Sequence, residues 1–135
     1  MVSKIFVYGT LQEEEPYFNH PAFVQNRVSV KKGKTKGIMF RLEWYPVIVK
    51  TDKELWIHGE IHKFKEIDKA LRMMDEIEDF IPGYSDNSLY QRKITDVVDE
   101  DGNIEKCWIY YFIGETEGLE RIDSGNWKDY SRQME

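Results

Sequence analysis

Hydrophobic and polar positions change their period along the chain, and each change predicts an element. Ile5, Phe6, Val7 and Tyr8 form an unbroken apolar run, the pattern of a buried strand, and it stops at Gly9. Positions 12–15 are polar and acidic, and Pro16 and Pro21 leave room after them only for a single turn and a loop. Val28 and Val30 alternate with polar neighbours over 27–32, while 37–42 and 46–51 read as two further strands joined by Glu43-Trp44-Tyr45. Alternation is clearest over 55–64. Leu55, Ile57, Gly59 and Ile61 share one face there; Trp56, His58, Glu60, His62 and Phe64 share the other, which reads as half-exposed.

The period switches at Glu66. Positions 66–80 contain no glycine or proline, are rich in helix formers, and space Ala70, Met74, Ile77 and Ile81 as one helical face. At about 100° per residue, with Ala70 set at zero, Met74 falls at about 40° and Leu71 at about 100°. Asp75, Glu76 and Asp79 fall on the wet side, whereas Glu78, at about 80°, sits between Met74 and Leu71. It is the one acid of the segment on the apolar face. Such a carboxylate is salt-bridged, snorkelling to water or chemically employed, and an apolar niche would raise its pKa. Positions 82–88 read as a loop, and 89–98 and 104–113 as two strands around the hairpin Asp99-Glu100-Asp101-Gly102-Asn103. The polar stretch 114–135 carries Ile122, Trp127 and Tyr130, the pattern of a segment pinned to the body.

Strands mixed with one long helix place the chain in the α+β class, and 135 residues, with no linker or repeat, predict a single domain over 1–135. Composition then narrows the partners. Nineteen basic against twenty-five acidic side chains leave a net charge of −6, which argues against nucleic acid as a partner. The one basic run, Lys31-Lys32-Gly33-Lys34-Thr35-Lys36, reads as a solvated hairpin. Cys107 is alone, so neither an internal disulfide nor a multi-cysteine metal site can form, and its apolar neighbours predict a buried, inert thiol. His58, Glu60 and His62 would project together from a strand, but the two-histidine zinc motif is helical and differently ordered, so no metal is expected. The apolar run at the N-terminus is too short for a signal peptide or a membrane span, and the chain is expected in the cytosol.

Two features carry chemistry. A glycine directly after a strand admits unusual backbone angles or close approach, and the successive N–H groups of Gly9, Thr10 and Leu11 could hold an anion as a backbone nest. Glu78 is the other. The order of Phe6-Val7-Tyr8-Gly9-Thr10-Leu11, Tyr45-Pro46, Gly59-Glu60-Ile61, Met74-Asp75-Glu76-Ile77-Glu78, Tyr90-Gln91-Arg92, Ile109-Tyr110-Tyr111 and Ser124-Gly125-Asn126-Trp127 resembles the gamma-glutamylcyclotransferase superfamily. The likeness is greatest to its small gamma-glutamylamine cyclotransferase branch.

That resemblance implies a small mixed β-barrel with flanking helices and no cofactor. It implies cleavage of a small-molecule gamma-glutamyl amide by internal attack of the α-amine, releasing 5-oxoproline and a free amine. It assigns the essential acid to Glu78 and the backbone cradle for the glutamyl end to Tyr8, Gly9, Thr10 and Leu11. The chain departs from the pattern at Gln12, where relatives often carry a basic residue, and at Asp79 and Phe80, where glycine and tyrosine are common. Two other classes fit the same residues: a non-catalytic module that binds a glutamyl-like ligand, and a hydrolase in which Glu78 activates water. The amine released and the oligomeric state are left open by the sequence.

Overall fold

Residues 1–79 and 90–133 are described by the computed structural model, the side chains of 77–79 excepted. Within them the strands are β1 (Lys4–Val7), β2 (Arg27–Lys36), β3 (Ile38–Leu42), β4 (Tyr45–Val49), β5 (Trp56–Phe64), β6 (Tyr90–Asp99), β7 (Ile104–Phe112) and β8 (Glu120–Ile122). The helices are α1 (Pro21–Val24), α2 (Ile67–Asp79) and α3 (Trp127–Gln133). Five strands close a mixed barrel in the order β1-β5-β2-β6-β7, and β4-β3-β8 form a second sheet. Four of the barrel pairings are antiparallel; closure comes from a parallel contact of β1 with β7, at Ile5 and Trp108. This is the small mixed barrel with short flanking helices that the sequence motifs implied.

The period of two along β1 divides the interior into two cores. Phe6 and Tyr8 join Ile57, Ile61, Val97, Cys107, Ile109 and Tyr111 within one cluster, which the buried Trp127 of α3 completes. Ile5 and Val7 belong to a second cluster, where Ile67, Ala70, Leu71 and Met74 of α2 pack with Phe64 and Tyr110. Ala70 and Met74 of the stripe read from the sequence therefore lie on the surface that α2 buries, while the Ile77 side chain and Ile81 are outside the described residues. Cys107 is fully buried, and burial first, then Glu105, pushes its thiol up to about 12, so it is inert at neutral pH. The described part of the last stretch, 114–133, is pinned as expected, by β8 on β3 and by α3.

Two expectations fail for identifiable reasons. The run of lysines is no hairpin: it is the second half of β2, paired residue by residue with β5 from Lys31 opposite Ile61 to Lys36 opposite Trp56. Thr35 is buried and donates to the Asp96 carbonyl at 2.9 Å, while Lys34 lies over the Trp56 ring and Lys36 pairs with Glu54. Long lysine stems on a strand thus hide its alternation. The face bearing Glu60, His62 and Phe64 is buried, not half-exposed. Cross-strand partners share a face, and Val7 opposite Glu60 and Ile5 opposite His62 put these polar groups beside the outer core. Phe18 then covers His62 edge-on. Of that face, His58 alone remains exposed among the two histidines.

α3 enters through Gly125, whose φ of 62° is left-handed and whose carbonyl accepts from the His58 N–H at 2.8 Å. A Cβ there would lie 2.0 Å from the Trp56 carbonyl oxygen. Gly102, at φ 86°, faces open space instead. Gly125→Ala should therefore cost more than about 3 kcal/mol, and Gly102→Ala only about 1 kcal/mol, in equilibrium denaturation. Equal losses would show that the left-handed angle, not the close approach, governs Gly125.

Candidate active site

β1 ends at Val7, and the chain turns over the barrel rim through Tyr8, Gly9, Thr10 and Leu11. The Tyr8 hydroxyl donates to the Tyr110 carbonyl at 2.7 Å, which fixes the start of the turn to β7. Gly9 does not use a positive φ. Its need is space: a Cβ would fall 2.8 Å from Cγ of Pro46, so the Tyr45-Pro46 segment sets how close the turn can lie. Beyond the turn most backbone donors are engaged. The Gln12 N–H donates to the Gly9 carbonyl at 3.1 Å, Glu15 N–H to Gln12 at 3.0 Å, and Tyr17 N–H to Thr10 at 2.8 Å. The Glu13 N–H donates to Oε1 of Glu60 at 2.9 Å.

Against that background, the N–H groups of Gly9, Thr10 and Leu11 have no acceptor among the described residues. Gly9 and Thr10 are half-buried and Leu11 is buried, and three consecutive N–H groups without a protein acceptor are the arrangement that a backbone nest for an anion requires. Tyr8, Gly9, Thr10 and Leu11 line one small cavity together with Phe6, Val7, Met74 and Tyr110. The structure thus gathers the four cradle residues at one place and brings α2 to it.

What holds α2 there is a set of contacts that the helical-face reading missed. Asp75, expected on the wet side, accepts the Tyr110 hydroxyl at 2.5 Å and pairs with Nη1 of Arg92 at 2.8 Å. Arg92 in turn lies over the Trp108 ring, 5.3 Å from its centroid. Burial, reinforced by Asp75, pushes the Tyr110 hydroxyl far above its ordinary value, so it stays a protonated donor. The Asp-x-x-Glu segment and the Tyr-x-Arg strand are therefore one physical unit, joined across α2, β6 and β7. Glu78 stands in the last turn of α2, four residues after Met74, and its side chain lies outside the described residues, as do Phe80 and the loop 82–88.

On the other side of the loop, Glu60 and His62 form a buried pair, with Nε2 of His62 donating to Oε1 of Glu60 at 2.9 Å. Burial by itself would raise the Glu60 carboxyl, but donors from His62, Glu13 and Lys128 outweigh it and hold it below the ordinary value. Burial lowers His62, and Arg27 lowers it further against the pull of Glu60. A neutral ring with the proton on Nε2 fits both facts and leaves Nδ1 without a donor among the described residues. The sequence held a signal for this pair: Phe64 continues the same face, so the polar residues beside it were candidates for burial.

Residues 5–129 match the family described as gamma-glutamyl cyclotransferase, AIG2-like, and the chain belongs to that family. A Methanocaldococcus jannaschii protein, named as a candidate gamma-glutamylcyclotransferase, is 31% identical over 127 residues, covering 93% of this chain and 96% of that protein. The crystal structure of a mouse AIG2-like protein is similar with a TM-score of 0.66 at 26% identity, over 90% of this chain and 86% of that one. YkqA from Bacillus subtilis is similar with a TM-score of 0.68 at 27% identity. The likeness to YkqA takes in 99% of this chain but 42% of that longer protein.

Two tests follow from the geometry. Gly9→Ala should destabilise by about 1–3 kcal/mol through the Pro46 ring, and adding Pro46→Ala should recover about 1 kcal/mol of that in a double-mutant cycle. Strictly additive losses would remove Pro46 as the limit on the turn. The buried pair gives a pH dependence. A His62 pKa below its ordinary value means that the unfolded chain binds the proton first, so stability falls as pH drops below about 6.5. Glu60, also lowered, adds a second loss only below its ordinary value of about 4.5. Urea denaturation across pH should show both limbs, and His62→Gln should erase the upper one alone.

Proposed function

We propose that this chain cleaves a gamma-glutamyl amide or amine by cyclisation, releasing 5-oxoproline and the free amine. The observation that carries the reading is the run of free N–H groups at Gly9, Thr10 and Leu11, lining one cavity with α2. Three adjacent donors suit the carboxylate of a glutamyl group, and they suit it without a cationic side chain. Position 12 supports the reading: Gln12 is buried, and its amide Nε2 donates back to the Gly9 carbonyl at 3.4 Å, which leaves recognition to the backbone on this proposal.

In the proposed reaction the substrate's α-amine, in its neutral form, attacks the γ-carbonyl carbon while ionised Glu78 accepts the proton that this nitrogen loses. The ring C–N bond and a tetrahedral oxyanion form together. Collapse of that oxyanion breaks the original amide C–N bond, and the leaving amine takes the proton from Glu78. Nothing is consumed but the substrate. Nucleophile and carbonyl belong to one molecule, so orientation alone supplies much of the acceleration, and a cradle plus one proton carrier is sufficient machinery.

Glu78→Gln should lower kcat by about 10²–10⁴-fold while the fold persists. Glu76→Gln, at an exposed position of the same helix, should leave kcat close to wild type. The products of a gamma-glutamyl amine panel decide the class. Release of 5-oxoproline supports cyclisation; free glutamate would make the protein a hydrolase, and tight 5-oxoproline binding without turnover would make it a binding module. Equal activity losses in the two variants would overturn the role of Glu78.

A further inference from the structure

We propose that Glu60 is the positioning residue of the cradle, the anchor that holds the turn in its ligand-binding shape, and that Lys128 is its counter-charge. This rests on the reading of the cradle given above. Glu60 is 4% exposed, and its carboxylate has partners from three separate parts of the chain. Oε1 accepts the Glu13 N–H and Nε2 of His62, each at 2.9 Å. Oε2 accepts Nζ of Lys128, from α3, at 3.1 Å. Glu60 also stands directly opposite Val7, where β1 ends and the turn begins. The anchor therefore grips the turn from beneath, two residues beyond the last free N–H of the cradle.

The same placement creates an electrostatic problem. A buried carboxylate under a loop that is to hold an anion opposes that anion unless its charge is balanced. Lys128 provides the balance, with its side chain only 20% exposed. Of the groups hydrogen-bonded to Glu60 it is the one with a fixed positive charge, since His62 is neutral; Arg27, over the Phe18 ring, adds a second cation near Glu60 without bonding to it. Both ends of the chain thereby bear on the cradle, β1 through its turn and α3 through one lysine. The prediction is asymmetric. Removing the lysine alone leaves the Glu60 charge balanced only by the more distant Arg27, whereas removing both charges leaves only a looser anchor.

The experiment uses the whole chain. Glu60→Ala should raise KM for the best gamma-glutamyl amine about tenfold and weaken 5-oxoproline binding equally, with kcat falling less than threefold. In the same variant, amide exchange read by NMR should accelerate at Gln12 and Glu13 while the β6 and β7 ladder keeps its protection. Lys128→Met should raise KM by more than the double variant Glu60→Gln/Lys128→Met does. Exchange at Gln12 and Glu13 that matches wild type would overturn the anchor, whatever the substrate is. So would loss of protection throughout the barrel, or kcat and KM worsening together, since both describe a merely structural residue. A double variant worse than Lys128→Met would overturn the counter-charge. If Glu60→Ala does not fold, the comparison of Lys128→Met with the double variant decides the proposal. If wild type neither binds 5-oxoproline nor turns over any gamma-glutamyl amine, the cyclotransferase reading fails, and the exchange measurement still decides the anchor.

Discussion

The packing of β1 between β5 and β7 is the constraint on which everything else in this molecule depends. Four residues form that strand, yet it closes the barrel and supplies side chains to both cores. Phe6 fills the barrel; Ile5 and Val7 seat α2 on its outside. A one-residue slip would exchange those two sets, exposing the helix seat and forcing outward-facing groups into the barrel, so the register is strongly specified. Because the turn at Tyr8, Gly9, Thr10 and Leu11 begins where the strand stops, its position is set by the same register. The site is in this sense a boundary of the core.

Motifs far apart in the sequence acquire meaning by meeting around that boundary. Gly9 and Pro46 come together because the proline ring fills the space a Cβ would take. Asp75 and Arg92 come together as an ion pair that also receives the Tyr110 hydroxyl. With both partners of the pair about two-fifths exposed, its Coulomb contribution is small, well under about 1 kcal/mol. Its use is geometric: it ties the third turn of α2 to β6 and β7, one turn before Glu78. Glu60 and Lys128 are different, since both are largely withdrawn from water and a broken pair would leave a buried charge.

Much of this was legible beforehand, and the failures share a cause. Alternation over 55–64 and the helical spacing of Ala70 and Met74 gave strand and helix with bounds close to those of β5 and α2. Gly9, Thr10 and Leu11 could be singled out because a strand ends there abruptly. Reading polarity as exposure failed where polar groups have partners distant in sequence. Glu60 meets Glu13 and Lys128, forty-seven and sixty-eight residues away. Asp75 meets Tyr110, thirty-five residues on, and Arg92, seventeen. No local period can announce such pairs. The lysines of β2 misled for the opposite reason, since an exposed strand that carries long charged side chains has the composition of a loop.

An acidic chain of net charge −6 is at first sight a poor host for an anionic glutamyl group. Range resolves the difficulty. Exposed charges such as Glu13 and Glu14 act through water and are screened beyond about 10 Å at 0.1 M salt, so they bear mainly on the rate of encounter. Backbone donors act at hydrogen-bond distance, in a turn whose shape is already fixed by Pro46, Tyr110 and Glu60, and little ordering cost remains when a ligand arrives. A basic side chain in place of Gln12 would add attraction at long range, but it would also have to be ordered and desolvated on binding. On the proposed reading, this protein relies on short-range donors for affinity and on internal attack for rate. Neither requires a charged surface, which is why the acidity of the chain and its proposed chemistry are compatible.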